Sequence, residues 1–417
     1  MSGITSRRRF LQSSTATGAF VLAGCMGILE DDEHPYEIWA LDQGTNVGYI
    51  YGPSGSDDSD DSSFELIEEI DFPSLDGVTP NDEGNVVPHM VAFSSEYEYA
   101  AVACTAAAQT LVFRTDDYEL VAAIDTGPGS HFAGFTPDDA SIQVDVIGEG
   151  AIKRIDVDLD DESFDLVDEI EVTEAAPVAD RIDEFQLDDG ALRPICHDFA
   201  DTASYHTLGP GIDHSGVVIV DWESFEVIDA FSPQEVRANC GTIAHPDDDK
   251  LYLTAGAPSN HEATGGVGEW YVFDTAEHRP LDTSGDVVDA FTYDEIARST
   301  EGYDAHGFWF TPDNEELWVL NRETDDGLVI DPETDEVIDE IDDYGSAPDI
   351  LAASPDGEYM FATLRGTTPI SGDPHAATGD TPGFSVLDIE SREIVEVIQP
   401  DGDNDGSDFH GIGVVPK

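Results

Sequence analysis

His306-Gly-Phe-Trp-Phe-Thr-Pro-Asp-Asn-Glu-Glu-Leu-Trp-Val-Leu leads through a short loop into Gly327-Leu-Val-Ile-Asp-Pro-Glu-Thr-Asp-Glu-Val-Ile-Asp-Glu-Ile. Short runs rich in β-branched and aromatic residues alternate here with Pro, Asp and Asn. That pattern reads as strands and turns, with no 3.6-residue period. The stretch holds four strands, a to d, with a Pro-Asp turn between a and b. Other copies of strand a and its turn are Phe132-Ala-Gly-Phe-Thr-Pro-Asp-Asp, Gly241-Thr-Ile-Ala-His-Pro-Asp-Asp and Ile350-Leu-Ala-Ala-Ser-Pro-Asp-Gly. A looser copy is Met90-Val-Ala-Phe-Ser-Ser-Glu-Tyr, and the weakest is Asp198-Phe-Ala-Asp-Thr-Ala. Strand c recurs as Val218-Ile-Val-Asp, Tyr271-Val-Phe-Asp, Leu328-Val-Ile-Asp and Ser385-Val-Leu-Asp.

A four-stranded unit repeated along the chain predicts an all-β radial array. Residues 37–72 supply only three strands, Ile38–Asp42, Gly48–Tyr51 and Phe64–Ile70. The C-terminal His410-Gly-Ile-Gly-Val-Val-Pro is an unpartnered strand a. Placed beside the first three, it completes a seventh sheet and closes the ring, which removes long exposed edges. The expected fold is a seven-bladed β-propeller over residues 37–417. The "Ser-Pro-Asp-Gly" turn and "Val-x-Asp" strand resemble the YVTN-type, quinoprotein amine dehydrogenase β-chain-like propeller family. That resemblance implies the fold and leaves the function open.

Ahead of the repeat, Ser6-Arg7-Arg8-Arg9-Phe10-Leu11 resembles a twin-arginine export signal. A short apolar stretch follows and ends in Leu22-Ala23-Gly24-Cys25, which matches a lipobox. The expectation is a signal peptide over 1–24, lipid on Cys25, an acidic tether over 25–36, and a body held outside the cytoplasmic membrane by that anchor alone. Arg7 and Arg8 would be the export signal.

The chain carries 91 acidic against 16 basic side chains, a net charge of −75, spread along its length. In dilute buffer that charge opposes compaction; molar salt screens it. The composition therefore points to a halophile of haloarchaeal type and excludes nucleic acid as a partner, since that needs a basic footprint. With Cys25 assigned to lipid, Cys104, Cys196 and Cys240 remain, an odd number that does not make a disulfide framework.

Counting six residues back from the turn proline, the seven blades give His89, His131, His197, Cys240, His306, Asp349 and His410. Strand a lines the axis of a propeller, so these residues are expected to ring one channel mouth. Long b–c loops on that face add His206, His214, His261 and His375. Imidazole, thiolate and carboxylate together suit Zn²⁺ or copper. The plainer alternative is that these histidines cap strand ends at a wet mouth. Nitrous-oxide reductases and propeller zinc chaperones are similar in placing histidines on a propeller, without a shared motif. Asp401-Gly-Asp-Asn-Asp-Gly resembles a calcium loop through Asp401, Asp403 and Asp405, although Ile412 stands where an EF-hand has Glu. No Gly-x-Ser-x-Gly, P-loop, dinucleotide fingerprint or haem-attachment motif occurs. The expected function is a monomeric binding or scaffold protein taking a metal, a small ligand or a protein at the histidine-rich face. The alternatives are a metal- or quinone-linked oxidoreductase, a lactonase-like hydrolase, and a structural surface-layer component.

Overall fold

The structure is a computed structural model. It describes residues 34–54, 63–185, 187, 190–239, 241–262, 264–370, 377–402 and 404–417. Arg7, Arg8, Cys25, Cys240, His375 and Asp403 lie outside the described residues. No helix among the described residues is long and apolar enough to cross a membrane.

Each Ser/Thr-Pro-Asp turn closes on itself by side-chain chemistry. In the turn of the quoted repeat, the Thr311 hydroxyl donates to Asp313 Oδ1 at 2.7 Å and accepts from the Glu316 amide at 3.1 Å. Ser354 with Asp356 and Thr136 with Asp138 repeat the first contact at 2.6 and 2.9 Å. The residue after the Asp takes a left-handed backbone in all three turns: Asn314 at φ 59°, Gly357 at 75° and Asp139 at 55°. Asn, Gly and Asp accept that conformation most readily, which is why the sequence spells Pro-Asp-Asn, Pro-Asp-Gly and Pro-Asp-Asp.

Seven antiparallel sheets result. Blade 1 is Phe409–Pro416, Tyr36–Asp42, Val47–Pro53 and Phe64–Asp71, so the C-terminal strand does complete the N-terminal three. Its register runs from Tyr36 opposite Pro416 to Asp42 opposite Phe409. Lys417 Nζ adds 2.9 Å to Glu37 and 2.6 Å to the Thr115 carbonyl. Strands a of blades 2, 3, 4, 6 and 7 are Pro88–Phe93, Ser130–Phe135, Pro194–Phe199, Ala305–Phe310 and Pro348–Ala353. Blade 5 departs from the pattern. Its strand a is Thr242–Ala244, its fourth strand is only Arg279–Pro280, and Arg298–Tyr303 pairs with its third strand instead.

The apolar core lies between blades. Trp39 of blade 1 is fully buried and meets Phe93, Phe113 and Tyr118 of blade 2 edge-on at 6.0, 6.2 and 5.9 Å. Large aromatic faces of this kind dominate burial energetics. Outside, cations are scarce and shared: Arg114 pairs with Asp117, Glu119 and Glu162. With 91 acidic against 16 basic side chains, most carboxylates have no cation of their own to offset their mutual repulsion. Raising KCl from about 0.1 M to about 1 M shortens the Debye length from about 10 Å to about 3 Å. The melting temperature of the protein is expected to rise over that interval; a melting temperature independent of salt would contradict the repulsion argument.

Candidate functional site

Strand a begins at the axis, and its second residue turns inward at one mouth. His89, His131, His306, Asp349 and His410 all take that position. His89 Nε2 lies 2.9 Å from His131 Nε2. The His89 and His410 rings are 3.8 Å apart, and those of His306 and His410 are 5.8 Å apart. The mouth thus gathers four imidazoles from four blades and one carboxylate from a fifth.

The Nδ1 atoms of His89, His131 and His306 are hydrogen-bonded, while that of His410 makes only an ion-pair contact outside hydrogen-bond geometry. His131 Nδ1 donates to the Ile195 carbonyl at 2.9 Å, and His306 Nδ1 to the Asp349 carbonyl at 3.0 Å. Each is a bond from one blade to the equivalent residue of the next. His410 Nδ1 lies 2.7 Å from Asp349 Oδ2. His89 Nδ1 meets Gln43 Oε1 at 2.7 Å, while Gln43 Nε2 donates to Asp408 at 2.9 Å. Amide and carbonyl oxygens only accept, so Nδ1 of His89, His131 and His306 carries the hydrogen. In the neutral rings the Nε2 atoms of these three histidines are then acceptors. Between His89 and His131 two lone pairs face each other across 2.9 Å. That contact is repulsive unless a proton or a cation sits between them.

Beneath the imidazoles runs a buried charge network. Arg322 binds Asp304 through Nε at 3.0 Å and Nη2 at 3.1 Å. Arg365 binds Asp408 through Nε at 2.7 Å and Nη2 at 2.9 Å. Asp349 stands between the two guanidiniums, 2.7 Å from Arg365 Nη1 and 3.5 Å from Arg322 Nη1. All five side chains are fully buried. Three carboxylates against two guanidiniums leave one negative charge under the imidazoles. Burial alone would raise the Asp349 carboxyl, but His410, Arg365 and His306 outweigh it and hold it well below the usual range. Burial pushes His89 far below the ordinary imidazole value, and neighbouring His410 and His131 add to this.

His197 does not join this ring. The a–b turn of blade 4 is two residues shorter than that of blade 2. Ala200 bonds Ala203 across Asp201 and Thr202, whereas Ser94 bonds Tyr99 across four residues. Counting back from the turn therefore lands two residues late, and the true equivalent is Ile195. His197 instead occupies an inter-blade core position. There Asp145 spans His197 Nδ1 at 2.6 Å and His206 Nδ1 at 2.7 Å, all three buried. Among the described residues, these three form the one group whose ligand atoms all lie within 4.8 Å of one another. His206 is correspondingly on strand b of blade 4, within Ala203–Leu208, and not in a loop. Cys196 faces the axis, with its sulfur 3.8 Å from His131 Nδ1.

His214 and His261 do lie in b–c loops on the mouth face, with His261 Nε2 3.6 Å from Asp213 of the neighbouring loop. Asp401 and Asp405 are exposed, and the described residues bring no carboxylate set together there. Sequence reasoning missed Arg322, Arg365, Asp145 and Gln43. A signal existed for the arginines: each directly follows an apolar strand b in a chain with few cations.

No family model and no curated protein matches this sequence. Similar solved structures include Kuenenia stuttgartiensis hydrazine synthase, at 15% identity and TM-score 0.52, covering 91% of this chain and 100% of that one. Another is the dihydro-heme d1 dehydrogenase NirN in complex with DHE, at 12% identity and TM-score 0.51, covering 93% of this chain and 77% of that one. At such identities the shared property is the propeller fold.

The Asp145 pair sets an acid limit on stability. Burial would raise the Asp145 carboxyl, but His206 and His197 hold it below its ordinary value. Burial lowers His206, with Asp145 opposing. A histidine lowered in the folded state binds its proton more readily once unfolded, so stability falls as pH drops below about 6.5. Asp145 carries the same sign at lower pH, losing its contribution as pH falls below about 3.9. Metal-free protein is expected to lose melting temperature between pH 7 and pH 5, and His206→Gln to flatten part of that slope. A flat profile for the unsubstituted protein would refute this.

Proposed function

We propose that this protein is an extracytoplasmic, lipid-anchored binding protein that takes a transition-metal ion at the imidazole mouth of its propeller. The observation that carries the reading is the facing of His89 Nε2 and His131 Nε2 at 2.9 Å with both Nδ1 atoms tied to acceptors. A metal ion resolves that contact at small cost. Zn–N bonds of about 2.0–2.1 Å in tetrahedral geometry need nitrogens about 3.3 Å apart, so the two rings open by a few tenths of an ångström. His410 and His306 are the nearest further imidazoles, and their rings must swing inward to complete the set, because among the described residues only Asp145, His197 and His206 bring three ligand atoms within 4.8 Å of one another. Nδ1 atoms held by amide and carbonyl acceptors, as in His89, His131 and His306, are the outer-shell arrangement that metal-bound histidines use. The buried network contributes the negative charge that a cation needs. A proton is the poorer bridge, because burial disfavours an imidazolium here.

Neutral nitrogen donors suit Zn²⁺ and copper better than calcium or magnesium. The alternative reading is a redox role, and it is the metal's identity that separates the two. Export and lipid attachment rest on Arg7, Arg8 and Cys25 and are tested by labelling with radioactive lipid precursors and by Cys25→Ala.

Metal analysis by mass spectrometry on untagged protein purified in molar salt is expected to give near-stoichiometric zinc or copper. Gln43→Ala, which releases His89 Nδ1, is expected to weaken the metal roughly 10–100-fold. His245→Ala, in a distant a–b turn, leaves it unchanged. Bound copper with a paramagnetic resonance signal would favour the redox alternative. No metal, and no thermal shift on adding either ion, would remove the reading.

A further inference from the structure

Below the imidazoles the propeller axis is not a polar channel. A cavity of about 380 Å³ runs from His306 and Cys196 down to Ser95 and Tyr97 in the a–b turn of blade 2. Its walls include Phe132, Ile243, Phe308, Ile350, Ile412 and Val414, contributed by five blades. This volume lies within the range of small-molecule sites, about 300–1,000 Å³, and the apolar lining with a few polar groups is their usual chemistry.

Two further observations say what fits. At the outer end, Tyr97 and Trp309 line the cavity while remaining 40% and 38% exposed. Large aromatics left open on so acidic a surface mark an entry for an apolar, flat molecule. Inside, Asp198 is the charged group on the wall. Its two oxygens accept from the Phe199 and Ala244 amides at 2.8 and 2.7 Å. Each oxygen keeps a second acceptor site, so the carboxylate can take one more donor. An anion would meet this carboxylate in an apolar surround and be rejected.

We propose that the axial cavity is a binding site for a small uncharged aromatic molecule bearing a hydroxyl donor, its ring against Phe132 and Phe308 and its hydroxyl donating to Asp198. The site does not depend on the metal above it, so it is tested on chelator-stripped protein. Ligand-observed NMR in molar KCl would compare 2-naphthol, 2-methoxynaphthalene and 2-naphthoate. Saturable binding of 2-naphthol, at least tenfold weaker binding of the ether, and no binding of the carboxylate are expected. Ala92→Trp, which fills the cavity, is expected to weaken 2-naphthol at least tenfold without loss of the melting transition. Where that variant does not fold, Trp309→Ala at the exposed rim takes its place, with a several-fold loss expected. Absence of saturable 2-naphthol binding, equal affinity for all three probes, or affinity unmoved in the folded variant would overturn the proposal.

Discussion

The pairing of Phe409–Pro416 with Tyr36–Asp42 is the contact on which every other feature of this molecule depends. Six of the seven sheets are built from strands close in sequence; only this one joins the two ends of the described chain. Until it forms, Tyr36–Asp42 is an open edge and the axis has a missing wall. Once it forms, His410 arrives at the mouth together with Asp408 on the strand's threshold. Asp408 receives Arg365 from blade 7 and Gln43 from blade 1, so ring closure and the buried charge network are completed in the same event. Gln43 in turn fixes His89 of blade 2. A single strand addition thus sets groups from three blades.

The network explains why such expensive groups are buried at all. Two guanidiniums out of water cost several kcal/mol each unless geometry is nearly ideal. Here each makes paired bonds to a carboxylate, and Asp349 bridges between them. The excess carboxylate charge is met by the imidazoles above. Apolar residues of the same volume would hold the blades together as well or better. What they could not do is place a fixed carboxylate charge and Gln43 against the imidazoles of the mouth.

The repeat made the fold readable. Turn chemistry at Pro-Asp-Asn and Pro-Asp-Gly is local, and it recurs with a spacing that only a four-stranded unit satisfies. The mouth was readable for the same reason wherever the turn was regular: His89, His131, His306, Asp349 and His410 fall where counting back from the turn places them. Counting failed at blade 4, where a two-residue turn replaced a four-residue one and no proline marked the change. His197 therefore belongs to the inter-blade core, and its partner Asp145 lies 52 residues away. No periodicity connects those two positions. Arg322 and Arg365 act through contacts across blades, which a pattern of turns cannot encode. The short outer strand of blade 5 and its substitute at Arg298–Tyr303 were likewise beyond the repeat.

The two readings of the mouth histidines, as strand-end caps and as ligands, are not in competition. A His131 or His306 side chain that donates Nδ1 to the next blade's carbonyl is a staple between blades. That same bond fixes the tautomer and makes Nε2 the acceptor nitrogen. Two such staples, with His89 held by Gln43, set acceptors around the mouth as a geometric consequence of holding the ring closed. A donor set of this kind can arise from stability alone and then recruit an ion, because the negative charge beneath it is already buried and fixed.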